Sequence, residues 1–199
     1  MKLLGIGILR YNADVSEPVM LVQAVELSSY SFFQKGAVRE MLTFFNKTLT
    51  KRTPPGQRQS VQNESYYVHI YMRADGLCGC ITCDAEYPAR VAFSLLTKLL
   101  EDFESQVPQW KTEKRNEAIS WPPLDSAITK YQDPSNADQI MRIQKSLDDT
   151  REVLHNTIET VLQRGEKLED LVERSGELSA QSKMFYKQAR RANSCCSVI

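Results

Sequence analysis

Apolar positions follow two periods in this chain, and the change between them divides it in two. Lys2 to Arg10 and Val19 to Leu27 alternate as strands, and Asn12-Ala13-Asp14 with Glu17-Pro18 supplies the turn of a hairpin. From Gly36 to Lys51 the period becomes helical, with Val38, Met41, Leu42, Phe45 and Leu49 on one side and Pro54-Pro55-Gly56 as the stop. Three short strands are predicted next, at Arg58 to Asn63, Tyr66 to Arg73 and Leu77 to Asp84. A second helix is expected from Pro88, with Ala92, Leu95, Leu96, Leu99 and Phe103 on its core side. A polar stretch from Gln106 to Ser120, then Trp121-Pro122-Pro123 and a short helix from Leu124 to Tyr131, closes a domain of the α+β class.

Asp133-Pro134-Ser135 punctuates the chain, and no proline follows. Residues 132–139 therefore read as a linker, and 140–192 as a helical segment roughly 80 Å long if continuous. Steps of three and four trace a coiled-coil seam: Ile140, Ile143, Leu147, Thr150, Leu154, Thr157, Val161, Arg164, Leu168, Leu171, Ser175, Leu178, Ser182, Phe185, Ala189 and Ala192. Charged residues make up 25% of the chain, yet Arg164 is the one charge on this seam and lies near its middle. Copies of this helix would stack like charges on their own axis. A guanidinium has five donors and no acceptor, so a desolvated Arg164 needs oxygens from unlike helices, such as glutamine carbonyls. Gly165 and Gly176 each weaken an isolated helix by about 1 kcal/mol, and the segment is expected to stay largely unfolded until it binds.

The run Val161-Leu-Gln-Arg-Gly-Glu-Lys-Leu168, with seam positions on both sides of Arg164, resembles the R-SNARE motif. Arg164 matches that family's central ionic-layer arginine, and Phe185 and Ala189 its membrane-proximal layers, with Lys187, Arg190 and Arg191 beside them. The order of elements over residues 1–131, with Ser29-Tyr30-Ser31-Phe32-Phe33 and Glu86-Tyr87-Pro88-Ala89-Arg90-Val91-Ala92-Phe93, resembles the profilin-like longin domain of lipid-anchored longin R-SNAREs. The resemblance implies a five-stranded antiparallel sheet between helices, followed by a long SNARE helix. It also implies a parallel four-helix bundle with three Q-SNARE helices and fusion of vesicles in transport among endoplasmic reticulum, Golgi, vacuole or endosomes. Thr150, Thr157, Ser175, Ser182 and Gly165 depart from an ideal seam and bear on the bundle's stability.

The tail, residues 193–199, ends Cys195-Cys196-Ser197-Val198-Ile199, which fits prenylation of Cys196 with Cys195 as a second, palmitoylated site. One lipid binds a membrane marginally and two bind it stably. No stretch approaches the roughly 18 apolar residues of a membrane span, and Lys2 to Leu9 reads as a strand, so a cytosolic, lipid-anchored protein is expected. Lys plus Arg equals Asp plus Glu, giving no global attraction to nucleic acid. Cys78, Cys80 and Cys83 with His69 lack a paired Cys-x-x-Cys, so they read as packing residues and no metal or cofactor is expected. No P-loop, dinucleotide turn or nucleophile elbow is present, and enzymatic activity is not expected. Phe44 falls outside the apolar stripe of its helix; it either covers a sheet edge or the short helix after Leu124, or offers an apolar docking spot over which the domain is expected to fold its own carboxy-terminal segment back in a closed state. A lipid-anchored homodimeric coiled-coil adaptor is the alternative to a fusion protein.

Overall fold

A computed structural model describes residues 2–12, 14–137 and 153–195. The amino-terminal elements are β1 (Leu3–Arg10), β2 (Val19–Val25), α1 (Phe32–Lys51), β3 (Arg58–Asn63), β4 (Tyr66–Met72), β5 (Leu77–Asp84), α2 (Ala89–Gln106) and α3 (Pro122–Lys130). After them come β6 (Val153–Thr157), α4 (Ile158–Val161), α5 (Leu168–Arg174) and α6 (Ala180–Cys195). The strands form one sheet in the order β2-β1-β5-β4-β3-β6. All neighbours are antiparallel except β3 and β6, which run parallel.

Alternation along each strand sends successive side chains to opposite faces. On one face Ile6, Ile8 and Ile81 meet Leu95, Leu96 and Leu99 of α2, with Leu124 and Ile128 of α3 extending the same core. Gly79 lets α2 approach, since a Cβ there would lie 2.8 Å from Leu96 Cδ2. On the other face Leu9, Met20, Ile70, Cys78 and Cys80 lie under α1. The outer edge of β2 is covered by the polar stretch before α3. The Glu117 N–H donates to the Met20 carbonyl at 2.6 Å, and the Met20 N–H donates to Asn116 Oδ1 at 3.0 Å. Covering an edge in this way blocks stray strand pairing. Gln132 belongs to this domain too, taking the Leu3 N–H at 3.1 Å and giving its amide to the Leu3 carbonyl at 2.8 Å.

Four expectations are corrected. The sheet has six strands, not five, because Val153–Thr157 pairs with Arg58–Gln62 and satisfies the open edge of β3. The residues from 153 to 195 do not form one long helix, nor do they stand unfolded. They turn between α4 and α5 at Gly165 (φ +89°) and break again between Arg174 and Ala180, and so follow the curved surface of the domain. Helix α1 also starts earlier than the apolar period indicates. Ser31 and Gln34 close a capping box ahead of Phe32, with the Ser31 N–H donating to Gln34 Oε1 at 3.1 Å.

His69 of β4 is buried against Phe93, with Nδ1 2.8 Å from Ser60 Oγ, and burial together with His155 of β6 lowers its pKa from 6.5 to about 4. The folded protein holds this ring neutral, while the unfolded chain takes up a proton below its ordinary pKa. Stability is therefore full above pH 6.5 and drains as the pH falls toward 4, by up to about 3 kcal/mol. Urea unfolding across this window should show a steeper loss for the native chain than for His69→Gln; equal slopes refute the assignment.

Candidate interface between the domain and its carboxy-terminal segment

The outward side of α1 carries Phe33, Glu40, Phe44 and Lys47, spaced by seven, four and three residues, so these positions share one helical stripe. The segment from α4 to α6 lies along it and runs in the opposite direction. Near the end of α1, Arg52 Nη2 donates to Glu166 Oε2 at 3.0 Å. One turn back, Lys47 Nζ is 2.7 Å from Glu177 Oε1. Glu40 Oε2 then accepts from Ser182 Oγ at 2.6 Å and from the Ser179 N–H at 2.9 Å. At the first turn Gln181 Nε2 donates to the Phe33 carbonyl at 2.9 Å. Partial burial pushes the Glu40 carboxyl up, but the hydrogen bonds from Ser182 and Ser179 outweigh it and hold the group below its ordinary range.

Between these polar contacts the interface is apolar. Phe44 is 9% exposed and belongs to one cluster with Met41, Ile158, Leu162, Leu168, Val172 and Leu178. Phe185 packs with Leu27, Val38 and Leu42. The returning segment is stapled to itself as well. Lys187 pairs with Glu173 at 2.7 Å, Arg190 pairs with Glu169, and Lys183 Nζ donates to the Glu173 carbonyl at 2.7 Å. Beside α6 a cavity of about 150 Å³ lies among Met41, Phe45, Tyr66, Val68, Phe185 and Tyr186.

The predicted seam residues have different fates here. Leu168 and Leu178 are buried, Val161, Leu171 and Phe185 are half-buried, and Leu154 and Ala189 are exposed. Ile140, Ile143 and Leu147 lie outside the described residues, as does Cys196; Cys195 ends α6. Arg164 is not enclosed by apolar neighbours in this arrangement. It sits exposed at the corner of the turn closed by the Glu166 N–H on the Gln163 carbonyl at 2.9 Å, with Gly165 supplying the positive φ at the next position. Three buried contacts are absent from the predicted seam: Ile158, Leu162 and Val172. Each directly follows a seam residue, so a stripe one position wider would have included them. Cys78 and Cys80 face Thr50 of α1, across the sheet from His69, and burial pushes the Cys80 thiol up. Such a protonated thiol is a poor nucleophile and a poor metal ligand.

An α+β domain bound along one helix by a heptad-patterned segment is the build of a SNARE with a regulatory amino-terminal domain. A family model described as regulated-SNARE-like (longin) matches residues 27–128, and a synaptobrevin model matches residues 139–196. The chain is 52% identical over 199 residues to the synaptobrevin homolog ykt6 of Schizosaccharomyces pombe, covering 100% of each. It is 45% identical over 202 residues to the synaptobrevin homolog YKT6 of Saccharomyces cerevisiae and 44% over 200 residues to the VAMP-like protein YKT61 of Arabidopsis thaliana, again with 100% of each chain covered. The chain belongs to the longin-domain R-SNARE family of synaptobrevin homologues, a non-enzymatic family that acts in vesicle transport. Among the described residues no helix is long and apolar enough to cross a membrane.

Replacing Phe44 by Glu puts a carboxylate into the apolar cluster. Uncoupled burial of a charge is costly enough to favour release of the segment over tolerance of the substitution. Hydrogen–deuterium exchange of amides between 158 and 192 should accelerate by more than about tenfold, while those of α2 and β5 keep native rates. Unchanged exchange across 158–192 would show that the contact does not hold the segment.

Proposed function

We propose that this R-SNARE alternates between the closed arrangement and a parallel four-helix bundle with three Q-SNARE helices, and that the switch gates vesicle docking and fusion. The observation that carries the reading is shared burial. Leu168, Leu178 and Phe185, which a bundle would bury, are the residues held against the domain, so one segment cannot serve both structures at once. In the bundle, Arg164 forms the polar layer with glutamine side chains, and Ile140, Ile143, Leu147, Leu154, Val161, Leu171 and Ala189 complete the seam. Cys196 carries a prenyl group and Cys195 a reversible acyl group, which together anchor the chain to the cytoplasmic face of Golgi, endoplasmic-reticulum-derived, endosomal or vacuolar membranes. The cavity beside α6 offers apolar cover to part of such a lipid while the protein is in solution.

Closure lowers the fraction of molecules competent to zipper, so apparent assembly slows in proportion. The full chain mixed with three Q-SNARE helices should assemble at least about tenfold more slowly than its Phe44→Glu variant, followed by circular dichroism. Equal rates remove the gating role. Failure of both proteins to assemble, with stable homodimers instead, removes the bundle. Mass spectrometry of the mature protein should find residues 197–199 absent and a prenyl mass on Cys196.

A further inference from the structure

Two residues of the Ser29-Tyr30-Ser31-Phe32-Phe33 run take no part in the interface through their side chains. Phe32 is 84% exposed and Phe33 79%, although each has a large apolar ring, and they stand edge to face with centroids 5.8 Å apart. Only the carbonyl of Phe33 is engaged, by Gln181 of α6. Met184, three residues farther along α6 and on the same side of that helix, is 59% exposed. Gln181 thus holds α6 at the first turn of α1, and Met184 belongs to an element that lies there only while α6 is on the domain.

The charge around this patch selects an occupant. Lys35, one turn into α1, and Lys2 are both exposed, and both act on the nearby Glu26, whose carboxylate is already engaged by Ser28. The first turn of α1 has no acidic side chain, so its positive end is uncompensated. Exposed aromatic rings with Lys35 on the same first turns of the helix match the interfacial zone of an anionic bilayer, where rings enter the acyl boundary and amines meet headgroup phosphates. Helix α6, which presents Met184, also runs directly to Cys195, its last residue. We propose that Phe32 and Phe33, with Met184, form a membrane-docking patch of the closed protein, by which it meets an anionic bilayer before the segment is released. The proposal rests on the lipid-anchored reading above only for the orientation of the tail; the patch itself acts without a tail lipid.

The test uses full-length protein with Cys195→Ser and Cys196→Ser, so that no covalent lipid contributes, in flotation with phosphatidylcholine vesicles with or without phosphatidylserine. Binding is expected on the anionic vesicles and to drop about tenfold for Phe32→Ser/Phe33→Ser, whose thermal midpoint should not change because both side chains are exposed. As a second measurement, Phe33→Trp should shift its emission to the blue on the same vesicles, against a constant background from the buried Trp110 and Trp121. Equal partition of the native and doubly substituted chains, or no partition of either, overturns the proposal. So does a loss of self-association in sedimentation velocity with vesicle binding intact, which would assign the patch to a second copy of the chain. Since no Q-SNARE helix is present, these outcomes are independent of whether the bundle forms.

Discussion

Helix α1 has to bury two faces at once. Its inner face is fixed on the sheet by Leu49 and Thr50, the latter within sulfur hydrogen-bonding distance of Cys78 and Cys80. The outer stripe through Phe44 would be left to water by the amino-terminal domain alone, and the carboxy-terminal segment has an apolar stripe with the same need. The two meet, and burying an aromatic or aliphatic side chain is worth about 1.5–3 kcal/mol each. Placement of α4, α5 and α6, the cavity beside Phe185 and the exposed corner at Arg164 all follow from this contact. The polar pairs that flank it set direction more than strength. Lys47 with Glu177 and Arg52 with Glu166 are partly exposed, where ion pairs contribute little, but each fixes which part of the segment lies over which turn of α1.

Residues that look like flaws in a coiled-coil seam are the ones that let the segment fold back. Gly165 weakens a continuous helix yet supplies the left-handed turn after Arg164, a conformation that costs a β-carbon-bearing residue energy. Ser182 occupies an apolar seam position but is fully buried with its hydroxyl on Glu40. Ser175 and Thr157 cap the ends of α5 and α4 rather than filling a bundle layer. A sequence tuned only for the bundle would place Leu or Ile at these positions. In the proposed switch, small and polar residues at these positions favour the closed arrangement at the bundle's expense, so that partners could move the balance.

The period of the amino-terminal domain made its strands readable almost residue for residue. Arg58–Asn63 and Leu77–Asp84 coincide with their sequence limits, because turn residues bound each run. Phe44 stands out in the sequence for the opposite reason, since it breaks the period of its own helix. The start of α1 was hidden because Phe32 and Phe33 carry apolar side chains that do not face the core, and periodicity counts only those that do. Strand β6 was hidden more deeply. Leu154 and Thr157 fall on a seam of steps three and four, so a helical period overlays a stretch whose strand form exists only because β3 offers an unpaired edge. Nothing local to Val153–Thr157 encodes that edge. The same holds for Ile158, Leu162 and Val172, whose burial depends on the position of Phe44.

Arg164 carries a different cost in the closed arrangement and in the proposed bundle. In the closed arrangement its guanidinium sits in water at a turn and needs no protein partner. In the proposed bundle it lies on the axis, where five donors lose their hydration and must find oxygens at once. Apolar seam residues on either side accept many helices of suitable shape, so they discriminate poorly between right and wrong partners. The arginine does the reverse, because a helix without an acceptor at that layer leaves a buried charge unpaired. On that reading, keeping this residue solvated until the surrounding seam is released would make closure defer the selective step. Only a set of helices that supplies the missing oxygens would then complete the proposed bundle through the turn that Gly165 holds in the closed arrangement.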